Sequence, residues 1–96
     1  MDDQQFLALV TEVAKVAKPM HKDTVSVDDM DTLWPEFGVD SLDCIMIFIY
    51  MCDIYGVTEE VGKTLMAKTP RELQTFLAQH KTKEPTSIQE AVESIQ

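Results

Sequence analysis

The chain has 96 residues, 45 % of them hydrophobic, and sets 17 acidic against eight basic side chains for a formal charge of −9. That length allows one small domain, burying about 60–68 % of its unfolded surface and leaving little room for a deep catalytic cavity. The apolar content is too high for a disordered tail, and the negative charge argues against nucleic acid or an anionic membrane, which both need basic surface. A protein partner with a basic patch fits better.

Cys44 and Cys52 lie inside one apolar run, with neither CxxC spacing nor a His cluster nearby, so neither a disulfide framework nor a metal site is expected. Reduced thiols in the cytoplasm are the simplest reading. The start, Met1-Asp2-Asp3-Gln4-Gln5, is acidic and polar, which is wrong for a secretory signal. The longest apolar run, Cys44 to Cys52, is half of the ~18 residues needed to span a bilayer. A soluble chain is expected.

Strand signals are nearly absent, because no segment alternates apolar and polar residues between turns. From Asp3 to Lys18, Phe6, Leu9, Val10, Val13 and Ala17 recur at spacings of three and four, which predicts a helix with one apolar stripe. Pro19 disfavours helical geometry in Lys18 and ends it. Residues 19–40 read as a long connection with Pro19, Pro35, the acidic run Asp28-Asp29-Met30-Asp31 and scattered apolar residues including Val25 and Val27. Trp34 and Phe37 are expected to anchor it to the core.

A second helix is predicted from Ser41 to about Tyr55, with Asp40 or Ser41 as its cap and Gly56 in the left-handed position that closes it. Ile47, Phe48, Met51 and Tyr55 form its inward stripe. Thr58-Glu59-Glu60 opens a short third segment reaching about Met66. Thr69, Pro70 and Glu72 make the clearest start signal, a cap, a first-position proline and a capping box, for a helix carrying Leu73, Phe76 and Leu77. Met51 and Met66 read as core filler. Beyond Lys81 the composition changes, and Ser87-Ile88-Gln89-Glu90 is another capping box, with Ile88, Val92 and Ile95 on one side. That segment is short for an isolated helix, so residues 81–96 read as a flexible tail first and a short docking helix second. The fold expected is an all-α, small four-helix bundle of three main helices and a short third one, with a long loop between the first two.

Between Thr24 and Gly62 stand nine acids (Asp28, Asp29, Asp31, Glu36, Asp40, Asp43, Asp53, Glu59, Glu60) and no Lys or Arg. Such segregation makes a negative face that speeds encounter with basic proteins. A calcium loop starting at Asp29 would place Leu33 and Trp34 where an oxygen ligand and a Gly are needed, so calcium is not expected. Ser41 has no activator in sight, since His21 and His80 have no motif around them, so a hydrolase is not expected either.

Phe37-Gly38-Val39-Asp40-Ser41-Leu42-Asp43 sits where the loop turns into the second helix. Leu33 through Val57 (LWPEFGVDSLDCIMIFIYMCDIYGV) resembles the core signature of the acyl carrier proteins, the phosphopantetheine-binding carrier family, in which a Gly-x-Asp-Ser-Leu segment opens the second helix. The resemblance covers roughly residues 3 to 80, a bundle domain of 1–80 that leaves 81–96 outside. It implies a carrier and not an enzyme: 4′-phosphopantetheine esterified to Ser41, holding acyl or polyketide intermediates as thioesters. Asp40, Leu42 and Asp43 inherit the positions that flank this serine and are read by the transferase. The implied partners are a phosphopantetheinyl transferase, an acyl-loading enzyme, and ketosynthase-type or acyltransferase enzymes, with the carrier itself a monomer.

The chain departs from the family at the outward side of the second helix. Leu42, Ile45, Met46 and Ile49 would face outward on a helix that in the family usually shows glutamates, including at the positions of Met46 and Cys52, and here only Asp43 and Asp53 supply its charge. Either Ile88, Val92 and Ile95 cover this stripe, or Asp40, Leu42, Asp43, Ile45, Met46, Ile49 and Asp53 form a docking patch for a dedicated partner. The second reading implies a specialised fatty-acid or polyketide type pathway. The alternative from a different class is an acidic protein-interaction module in which Ser41 is an unmodified helix cap.

Overall fold

The structure, a computed structural model, describes residues 2–17 and 26–95. All regular structure among these residues is helical: α1 (Asp3–Ala17), α2 (Ser41–Ile54), α3 (Glu59–Gly62), α4 (Pro70–His80) and α5 (Ile88–Ile95), with a 3-10 turn at Trp34–Phe37. Four of the five helices are longer than one turn. No described helix is long and apolar enough to cross a membrane. The expected stop at Lys18–Pro19, together with His21 and Val25, lies outside the described residues.

α1 begins where Asp2 Oδ1 accepts from the Gln5 amide at 2.8 Å and Gln5 Oε1 accepts from the Asp2 amide at 3.2 Å. Its stripe of Phe6, Leu9, Val10 and Val13 is buried, and the helix packs against α2, α4 and α5. Met51 and Ile47 of α2 and Leu73 and Leu77 of α4 complete the centre of the core. Thr69 caps α4 by accepting from the Glu72 amide at 3.3 Å, while the Glu72 carboxylate reaches one residue further back, to the Lys68 amide.

The connection before α2 is held by its own side chains. Trp34 is buried, donates from Nε1 to the Ala67 carbonyl at 3.0 Å, and meets Phe37 and Phe48 edge-on. Thr11 Oγ1 accepts from the Val27 amide and donates to the Val27 carbonyl, fixing the loop to α1. Arg71 closes the connection onto α4: its amide donates to the Met30 carbonyl at 2.8 Å, and Nε and Nη2 grip the Asp31 carboxylate at 2.7 and 3.2 Å.

The Arg71 hydrogen bond holds the Asp31 carboxyl below the ordinary value of 3.8. A carboxyl lowered by folding adds stability above its unfolded value and loses it as pH falls through the folded one. Asp31→Asn is therefore expected to lower the melting temperature at pH 7, with the gap to wild type closing below pH 4. A gap independent of pH in melts from pH 7 to 2.5 would show that the pair does not hold the loop.

Two expectations need correction, and one choice between alternatives is made. Of the two readings of residues 81–96, a flexible tail or a short docking helix, the described residues have the helix: Ser87 Oγ accepts from the Glu90 amide, and α5 buries Ala91 against α1 and α2 with Ile88 and Ile95 half-buried beside it. Nucleation too costly for the isolated segment is offset by that apolar contact. α3 ends at Gly62, well short of Met66, because turns at Thr64 and Leu65 take the Val61 and Gly62 carbonyls. Met66 is not core filler; it is 87 % exposed, standing out between half-buried Leu65 and Ala67 in a segment without helical periodicity.

The turn after α2 joins these pieces. Gly56 has φ +66°, and the strand of chain before α5 lies directly on it: Thr82 Oγ1 donates to the Gly56 carbonyl at 2.6 Å, and the Thr82 and Lys83 amides donate to that of Tyr55. A Cβ on Gly56 would fall 2.2 Å from Thr82 Oγ1, whereas one on Gly38, at φ +80°, meets nothing within 4 Å. Gly38→Ala should cost about 1–2 kcal/mol of backbone strain alone. Gly56→Ala carries the same strain and also dislodges the C-terminal strap, so its melting temperature should drop further. Equal drops for the two variants would mean that the strap adds nothing.

Candidate functional site

The loop rises to α2 between two anchors. Trp34 is buried, and Val39, 1 % exposed, donates its amide to the Trp34 carbonyl at 3.3 Å. Gly38 makes the left-handed bend between them, with its amide on the Pro35 carbonyl. With Val39 pinned inward, the next two residues, Asp40 and Ser41, emerge into solvent.

Asp40 is the helix cap that the sequence left open between two residues. Its backbone is extended, Oδ1 accepts from the Asp43 amide at 2.9 Å, and Asp43 Oδ2 accepts from the Asp40 amide at 3.4 Å. This reciprocal pair satisfies two first-turn donors. Ser41 is then the first helical residue, exposed, and its hydroxyl takes no part in any hydrogen bond among the described residues. Both flanking carboxylates are occupied with backbone, and the serine oxygen is left to solvent.

Ser41 heads one face of α2. Ile45, Ile49 and Cys52 follow at helical spacing, and with Phe48 and Asp53 they form one wall of a cleft of about 590 Å³. Its other side comes from Val57, Thr58, Glu59, Gly62, Lys63 and Leu65. Apart from Thr58 and the acid Glu59, these were not singled out from the sequence, because they reach α2 only when the chain reverses at Gly56, and α3 is too short to show a period. Thr58 was legible only as a helix start, and it does cap α3. The helices approach closely where a Cβ on Gly62 would lie 3.5 Å from Cys52 Sγ.

Leu42, Ile45 and Ile49 are 69, 54 and 53 % exposed, Asp53 is exposed, and Met46 and Asp43 are half-buried. Ile47, Met51 and Tyr55 are buried and Phe48 is half-buried against the core, as the inward stripe requires. The proposed lid is not in place over Leu42, Ile45 and Ile49, since α5 spends its apolar residues on the core.

Both thiols are hindered. Burial, with Asp43 and Asp40 behind it, pushes Cys44 up to about 11, and burial with Asp53 raises Cys52. Each stays protonated at neutral pH, so neither is an activated nucleophile. Among the described residues no three His, Cys, Asp or Glu side chains cluster to hold a metal ion. The chain matches no protein-family model, no curated protein and no solved structure.

Proposed function

We propose that this chain is a carrier of the acyl-carrier type, a four-helix bundle with an added C-terminal helix, modified by 4′-phosphopantetheine on Ser41. The observation that carries the proposal is the exposed Ser41 hydroxyl at the first position of α2, with the capping role taken by Asp40. A serine placed for capping would have its oxygen tied to the backbone. This one has not.

The residues present fit the group. A phosphodiester at a helix N-terminus sits at the positive end of the backbone dipoles, and α2 is 14 residues long. Ser41 needs no base of its own: the transferase takes the hydroxyl proton as the new Oγ–phosphorus ester forms and the nucleotide half of coenzyme A leaves. When bound, the group supplies a thiol that holds acyl cargo as a thioester. The chain's own part is to present Ser41 and to offer apolar surface nearby: Ile45, Ile49 and Leu65 line the cleft on the serine's own face of α2, where an acyl chain escapes water. Such a protein receives cargo from an acyl-loading enzyme and delivers it to ketosynthase-type or acyltransferase enzymes, and weak, fast binding suits that task.

Intact mass after incubation with coenzyme A and a broad-specificity phosphopantetheinyl transferase tests the proposal. A gain of one arm supports the carrier. No gain, with the transferase active on a control carrier, overturns it in favour of an acidic interaction module.

A further inference from the structure

The side of the cleft that faces α2 runs from Val57 to Leu65, and its middle is lightly held. α3 has four residues and buries none of them, with Val61 and Leu65 only half-buried against the core. A single turn does not persist by itself. This wall is therefore fixed mainly at its two ends. Past Leu65, the Ala67 carbonyl accepts from the Trp34 indole at 3.0 Å and the Lys68 carbonyl from the Trp34 amide at 3.3 Å. Ahead of Val57 stands the Tyr55–Gly56 turn, with Gly56 in the left-handed region.

That first anchor is supplied from the other end of the chain. The Tyr55 and Gly56 carbonyls lie just beyond α2, where a helix leaves its acceptors unmet. Three donors of the strap meet them: the Thr82 and Lys83 amides on Tyr55 at 3.0 and 3.3 Å, and the Thr82 hydroxyl on Gly56 at 2.6 Å. The strap in turn is kept there by α5. That helix has eight residues and fully buries only Ala91, which puts it among the segments that open at low cost. Strap and helix both lie outside the stretch that resembles a carrier.

We infer that α5 and its strap form a latch on the cleft. Docked, they pin the Tyr55–Gly56 turn and hold the Val57–Leu65 wall against α2. When α5 leaves α1 and α2, Gly56 becomes a hinge, since glycine absorbs a torsion change without a Cβ penalty. The wall then swings on its Trp34 anchor and uncovers Cys52. A single equilibrium governs both ends, so whatever opens the cleft undocks α5, and the converse. The latch belongs to the bare chain and stands or falls apart from the arm on Ser41.

Cys52 reports the opening, being 8 % exposed and part of the cleft lining. Ala91→Glu puts a charge at a buried position of α5, and iodoacetamide should then label Cys52 of the full chain about tenfold faster. Peptide mass locates the label, and the Cys44 rate should change less than about twofold. Thr82→Val removes one donor and should speed Cys52 about fivefold, the worth of one hydrogen bond; it decides alone if Ala91→Glu fails to fold. An unchanged Cys52 rate, or an equal rise at both thiols, overturns the latch. The reverse arm wedges the cleft: in a Cys44→Ser chain, N-ethylmaleimide on Cys52 has no place beside Gly62, where a Cβ would already lie 3.5 Å from Sγ. The Ala91 amide, bonded to the Ser87 carbonyl at 3.1 Å, should exchange with deuterium about tenfold faster than without the wedge, while the Leu73 amide of α4 keeps its rate. Ala91 protection that survives the wedge, or equal quickening of Leu73, would mean that cleft and helix are not coupled.

Discussion

Ser41→Ala is expected to abolish the coenzyme A-dependent mass gain outright while leaving the unfolding temperature unchanged, and Asp40→Ala is expected to do the reverse. The serine is exposed and its oxygen bonds to nothing in the described structure, so losing it falls within the roughly ±0.5 kcal/mol of an ordinary surface change. Asp40 accepts from the Asp43 amide, and removing such a cap costs about 1 kcal/mol, or about 4–8 °C for a domain of this size. Modification of Asp40→Ala should continue, more slowly if the transferase reads that carboxylate. Intact mass and a thermal melt on the two variants separate a modified serine from a capping one. A stability loss in Ser41→Ala equal to that of Asp40→Ala would contradict the assignment of the cap.

Met51→Ala should be the most damaging single change to the fold among the methionines, with Met66→Ala its control. Met51 is 0 % exposed in the second half of α2, the helix that packs on α1 and α5, whereas Met66 is 87 % exposed. Truncating a buried Met leaves a cavity and costs about 2–5 kcal/mol, against a total of roughly 5–14 kcal/mol for a domain of this length. Met66→Ala should change stability by less than about 0.5 kcal/mol. Urea titrations give both numbers, and the expected signature is a lower midpoint for Met51→Ala with an unchanged slope. Equal midpoints would mean that the core around Met51 is loosely packed.

Some of this molecule is plain in the residue order because the cause is local. A helix needs an apolar stripe with a start and a stop, and the Phe6–Val13 spacing, the Thr69-Pro70-Glu72 start and the Asp40-Ser41/Gly56 bracket are each complete within a few residues. The exposure of Ser41 was legible to the same extent: a loop with Gly38 before a helix start puts that hydroxyl near the surface, though whether Asp40 or Ser41 caps depends on one backbone torsion. The docking of α5 was legible only as the second of two readings, because its strength lies in residues far away in the chain. Ile88, Ala91 and Ile95 form a helix too short to persist alone, and only α1 and α2 supply the apolar area that holds it.

Composition and spacing alone thus determined an all-helical chain, the register of α1, α2 and α4, and the segregation of acids toward α2, since propensity, periodicity and charge are properties of neighbours along the chain. Tertiary structure decided that Met66 stands outside, that α5 docks on α1 and α2, and that α3 and the Val57–Leu65 segment close a cleft on Ser41's face. Each of these rests on contacts between residues far apart in the chain. Spacing within one segment carries no signal of them.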